Sequence, residues 1–198
     1  MIGLVIAALV VSTLAPVPQL LGLRSLVARR IAVGLGVIGV IVAAIAAAQT
    51  DPATGFARGM VLVLGVTAAA TGAVALVPLL FDIVRAEDDR QPDPDPDRPD
   101  LDDTDPDSTD PDDSVPASTT VTTPLRGGRL IGVLERTAVA AAVLTGWPEG
   151  IAVVLAVKGL ARYPEIRAAH AGEQFIIGTF GSVLWALAVA GTAHLALY

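Results

Sequence analysis

From Ile31 to Ala48 this chain runs without one ionisable side chain, and the same holds from Gly59 to Phe81. Runs of that length decide the class of fold before composition is considered. A hydrocarbon core of about 30 Å takes roughly 20 apolar residues in a helix. Inside it every backbone N–H and C=O must be bonded internally, which leaves helices or closed barrels. Continuous apolar runs without strict alternation select helices. The chain therefore reads as all-α: a polytopic helical membrane protein with about six transmembrane helices in two groups of three.

The first candidate span runs from Ile2 to about Gly22 and is interrupted by Pro16 and Pro18; the two uncharged runs are the second and third. Leu130 to Trp147, the fourth, carries Glu135 and Arg136. Gly150 to about Ala161, the fifth, is short enough to be re-entrant, and Phe175 to Leu197, the sixth, has His194 as its only titratable group. Basic residues follow the first span (Arg24, Arg29, Arg30) and do not precede it, which favours a retained helix over a cleaved signal peptide.

Charge then sets the expected orientation. The net charge of −7 is misleading, because Glu87 to Asp113 holds 14 acidic residues and two arginines. Outside that stretch 6 acidic residues face 11 basic ones, a net charge near +5. Ten arginines fall in the loops after spans one, three and five, against Arg58 alone on the other side. By the positive-inside rule the loop after span three is cytoplasmic and both termini lie outside. The preference for Arg (twelve, beside one Lys) with abundant Ala, Val and Asp points to a GC-rich bacterial genome and so to the bacterial inner membrane.

Three regions follow: a membrane region over 1–85, an acidic linker over 86–124 and a second membrane region over 125–198. The linker repeats Asp and Pro at short spacing, a composition that blocks regular structure and repels itself, so it is expected to be disordered. It lacks the Gly and terminal Glu of a calcium-binding EF-hand loop. Thr104, Ser108 and Thr109 are its phosphorylatable positions.

The two membrane regions differ in chemistry. Small residues recur at four-residue spacing in spans two and three (Ala32 and Gly36, Gly39 and Ala43, Ala68 and Gly72), where backbones can approach closely. The second region instead carries charge. Glu135 lies six residues beyond Arg129, about 9 Å deep at 1.5 Å per residue, and Lys158 lies four residues before Arg162, about 6 Å deep. Thr179 and Ser182 fall in the first turns of span six on the same side. Glu135, Arg136, Lys158, Arg162, Thr179 and Ser182 thus form a candidate polar layer in the inner leaflet. Buried charge is costly unless paired, so Glu135 is expected to pair with Lys158 or Arg136, unless the long basic chains snorkel to the interface. Such a pair can lock helices together or form part of an ion- or anion-binding site. A proton path across the bilayer is not expected, since nothing titratable lies between this layer and Glu149 or His194.

The motif residues also resemble a known pattern. Gly128, Ile131, Gly132, Leu134, Glu135 and Arg136 follow G-x-x-I-G-x-L-E-R; Ala156, Lys158, Arg162 and Glu165 follow A-x-K-x-x-x-R-x-x-E. Glu173, Ile177, Gly178, Thr179 and Ser182 follow E-x-x-I-I-G-T-x-x-S. Residues 127–191 in this respect resemble the C-terminal membrane region of an uncharacterised bacterial polytopic family, a domain of unknown function. The resemblance implies a shared three-helix module and carries no activity.

Chemistry is thinly represented. There is no cysteine, the two histidines form no motif, and no G-x-S-x-G or H-E-x-x-H occurs, so no catalytic residue, metal or cofactor is expected. The expected role is a non-enzymatic assembly or accessory component; the alternative is a small transporter or channel subunit using the Glu135/Lys158 layer. Expected partners are the lipid bilayer and another membrane protein or a second copy of the chain, with no nucleic acid.

Overall fold

The computed structural model describes residues 1–21, 25–88, 128–163 and 169–198. Among them every element is a helix: α1 (Ile2–Leu14), α2 (Val17–Leu20), α3 (Leu26–Ala47), α4 (Gly55–Asp88), α5 (Gly128–Leu144), α6 (Glu149–Ala161) and α7 (Ala169–Leu197). Four stretches are long and apolar enough to cross a membrane: Ile2–Gln19, Leu26–Ala47, Gly55–Ala86 and Gly172–Leu197. The chain is a membrane-embedded helical protein.

Helix ends follow local chemistry. Pro16 and Pro18 divide the first apolar run into α1 and the single turn α2. Ser25 caps α3, its Oγ accepting from the Ala28 N–H at 3.2 Å. Helix α5 stops at Gly146, whose φ of 69° is the left-handed conformation glycine adopts readily. There Trp147 N–H donates to the Ala142 carbonyl at 2.8 Å and Gly146 N–H to that of Val143 at 3.1 Å, the paired bonds of a Schellman motif.

This early stop is why the expected count of six spans is not reached. Helix α5 has 17 residues and α6 has 13, about 26 and 20 Å at 1.5 Å per residue, against a core of about 30 Å. Helix α4, by contrast, has 34 residues, about 51 Å, and continues through Pro78 to Asp88. Positions 86–88, assigned to the linker, are therefore helical, and the rest of the linker lies outside the described residues, as do Arg24, Arg167 and Glu165.

The two membrane regions pack as one bundle. A single apolar core runs from Val5 and Leu9 in α1 through Ala68 and Ala73 in α4 to Val139 in α5 and Val189 in α7. Helix α7 sits between α4, α5 and α3, and its contact with α4 is the most extensive in the molecule. Helix α6 packs chiefly against α5 and is otherwise peripheral, with Gly150 its one buried residue.

Close approaches occur where small residues recur. Ser12, fully buried in α1, donates through Oγ to the Gly36 carbonyl at 3.0 Å, and a Cβ at Gly39 would collide with it. Gly36 and Gly72 together make a notch for a large ring. Trp185 from α7 fills it, with a Cβ at Gly36 only 3.0 Å from the ring and one at Gly72 overlapping it. The indole N–H donates to the Ala68 carbonyl at 3.0 Å.

Polar side chains in the spans are mostly satisfied inside their own helix. The hydroxyls of Thr13, Thr67, Thr71, Thr137 and Thr192 each donate to the carbonyl four residues back, at 2.7 to 2.9 Å. At one end of the bundle Arg29 of α3 pairs with Asp82 of α4. At the other, Arg58 donates to the Leu197 carbonyl at 3.2 Å and lies 5.2 Å from the Tyr198 ring, while Ala53 N–H bonds the Ala196 carbonyl at 2.8 Å.

Candidate functional site

Helices α5, α6 and α7 converge on an open cleft of about 230 Å³ at the end of the bundle opposite Arg58. All six residues of the expected polar layer line it: Glu135, Arg136, Lys158, Arg162, Thr179 and Ser182. The periodicity of α5 explains the division of labour. Adjacent residues on a helix point about 100° apart, so Glu135 and Arg136 serve different neighbours.

Glu135 turns to α6. Lys158 Nζ donates to its carboxylate, and the two side chains are only 20% and 17% exposed, respectively. The ammonium also lies 5.9 Å from the centre of the Phe175 ring of α7, within reach of a cation–π attraction. One cation thus holds the end of α6 to both neighbours.

Arg136 turns to the core and neither snorkels nor pairs with Glu135. Its Nε donates to the Ala70 carbonyl of α4 at 2.7 Å, and its Nη1 donates to Ser182 Oγ of α7 at 3.3 Å. The residue is 6% exposed, and the planar fork lets one side chain reach two helices at once. Gly132, one turn earlier, leaves the guanidinium room: a Cβ there would lie 3.1 Å from Nη1.

No family model, curated protein or solved structure matches this chain. The cleft brings three bases together with one acid, and two of the three bases are engaged by named partners within the chain. Arg136 bonds α4 and α7; Lys158 bonds α5. The arrangement works as a set of fasteners between helices.

Residues outside the expected layer complete it. The Ala70 carbonyl takes the shorter of the two bonds from Arg136, and Phe175 and Gln174 contribute to the wall. A backbone acceptor in another helix has no signature in sequence. Nor does the place of Trp185, which shares α7 with Phe175 and Phe180 and is marked out only by the ring it inserts between α3 and α4. Among the described residues no group of three or more His, Asp or Glu side chains is placed to hold a metal ion.

Proposed function

We propose that this chain is a non-enzymatic assembly or accessory component of the bacterial inner membrane, presenting the α5–α6 hairpin to a second membrane-embedded chain. The observation that carries this reading is the state of α6. Lys158 pairs it with Glu135 of α5, while Val153, Val157 and Leu160 are 53%, 62% and 75% exposed along one face. Spacings of four and three residues put these three on a single stripe.

Exposed apolar residues alone mean little in a bilayer, where lipid covers them as readily as protein does. Two further facts support a protein partner. At about 20 Å, α6 is too short to cross the hydrocarbon unaided. Beside it, between α5 and α6, runs an apolar groove of about 300 Å³ whose α5 wall is made of small residues such as Ala138, Ala141 and Ala142, which allow close helix approach, with the Trp147 ring packed on Gly150 at its end.

In this reading the hairpin either crosses with its partner's help, completing six spans, or re-enters the inner leaflet. The acidic linker is cytoplasmic and both termini are outside, as the arginine asymmetry requires. Residues 127–191 form the module shared with the uncharacterised bacterial family they resemble. Glu135, Arg136 and Lys158 of its motif act as structural fasteners that fix the pose of the hairpin.

The test is purification in mild detergent with crosslinking before solubilisation. Wild type is expected to migrate as a complex, with itself or with another membrane protein, and Val153→Trp/Val157→Trp is expected to release the monomer. Both changes keep the stripe apolar, so insertion is preserved while close docking is blocked. A wild-type chain that is monomeric and uncrosslinked would remove the basis for this reading.

A further inference from the structure

A second cleft, separate from the polar layer, opens between the start of α3 and the last turns of α4, with a volume of about 430 Å³. Its polar wall is Arg30, Arg85 and Asp82; its apolar wall is Leu26, Leu79 and Ile83. Asp82 is already engaged by Arg29. Among the described residues Arg30 and Arg85 have no ion-pair partner, so within that part of the chain the cleft presents two cations beside the Arg29–Asp82 pair.

We propose that this cleft binds the phosphate headgroup of an anionic phospholipid, between Arg30 and Arg85, with the acyl chains running along α3 and α4. Three observations converge on a lipid. The charge is positive and placed at the end of two membrane-crossing helices, where headgroups lie. The rim is apolar and open: Leu26, Val27, Ile31 and Ile83 are all more than half exposed, giving the chains a surface continuous with the headgroup site. The Arg29–Asp82 pair meanwhile fixes α3 against α4, so the guanidinium groups of Arg30 and Arg85 are presented from a rigid frame. Arginine is suited to this, because its planar fork takes two phosphate oxygens at once.

The site needs only that α3 and α4 are embedded, and is independent of whether α6 docks a partner. A soluble anion would use the same guanidinium chemistry but gains nothing from the apolar rim, which is why a lipid is favoured.

Native mass spectrometry of the full chain in detergent, titrated with phosphatidylglycerol or phosphatidylcholine, tests the assignment. Wild type is expected to retain phosphatidylglycerol preferentially. Since each basic residue near an anionic lipid surface is worth about fivefold in affinity, Arg30→Gln/Arg85→Gln is expected to lose roughly 25-fold of that preference. Arg58→Gln, at the opposite end of the bundle, is expected to keep it. Arg30→Lys/Arg85→Lys, which retains the charge, is expected to keep most of it and so separates binding from folding. Equal retention of the two lipids by wild type, or an unchanged preference in the double glutamine variant, would overturn the proposal. Displacement of the lipid by millimolar inorganic phosphate would also overturn it, assigning the cleft to a soluble anion.

Discussion

Trp185 shows how much of this bundle depends on single side chains. It is 7% exposed, fills the notch of Gly36 and Gly72, and bonds the Ala68 carbonyl. Truncation to Ala removes the ring and leaves a cavity that three rigid helices cannot close. Trp185→Ala is expected to cost about 3–5 kcal/mol, the range for large core aromatics. Gly72→Leu attacks the same contact from the other side, and overpacking there is expected to cost at least about 1–3 kcal/mol. Thermal unfolding in detergent measures both; a Trp185→Ala protein as stable as wild type would show that the notch is not a packing determinant. The small-residue spacing around Gly36 and Gly72 was readable in sequence and pointed to close backbone approach. What occupies the notch was not readable, because a ring from a distant helix has no local signature. Arg136 teaches the same lesson, since its charge and depth were legible but its acceptor, the Ala70 carbonyl, was not.

At the scale of elements, α6 is the most peripheral helix longer than a single turn, and Lys158 fastens it to α5. The pair with Glu135 is partly buried, between the exposed pairs worth up to about 1 kcal/mol and the buried ones that cost about 3–5 when one partner is removed. Lys158→Met, which strands the Glu135 carboxylate, is expected to destabilise by about 1–3 kcal/mol. Glu135→Gln/Lys158→Met is expected to recover part of that loss, because neither charge is then left alone. Hydrogen exchange over α6 should rise in the single variant and fall back in the double; equal exchange in all three proteins would mean that packing, not the pair, holds the helix. The helix ends were partly legible. Pro16 and Pro18 signalled the break between α1 and α2, since proline cannot donate within a helix. The end of α5 was placed at Trp147 in sequence and falls at Leu144 in the structure, because Gly146 turns the chain before the apolar run is exhausted. Apolar composition marks where a membrane segment is allowed; cap geometry decides where it stops.

For the whole molecule, sequence suggested two groups of helices and the structure packs one core through both. The periodicity of each run was visible, but contacts between runs far apart in sequence were not, and the α4–α7 contact is of that kind. Core residues from Ala68 to Val189 lie in a single cluster, so association is expected to survive loss of the covalent connection through the linker. Residues 1–88 and 128–198, co-expressed as separate chains with a tag on one, are expected to co-purify from detergent. Trp185→Ala in the second piece is expected to weaken that recovery. Pieces that insert but fail to associate would show that the linker is needed to bring the halves together. The direction of synthesis gives the Trp185 contact a temporal side. Trp185 follows Gly72 by 113 residues (185 − 72), roughly 6 to 23 seconds of translation at about 5–20 residues per second. Through that interval the earlier helices stand in the bilayer with their notch unfilled. Helix α7 leaves the ribosome after the helices whose notch it fills, so the core around Gly36 and Gly72 stays open until Trp185 arrives.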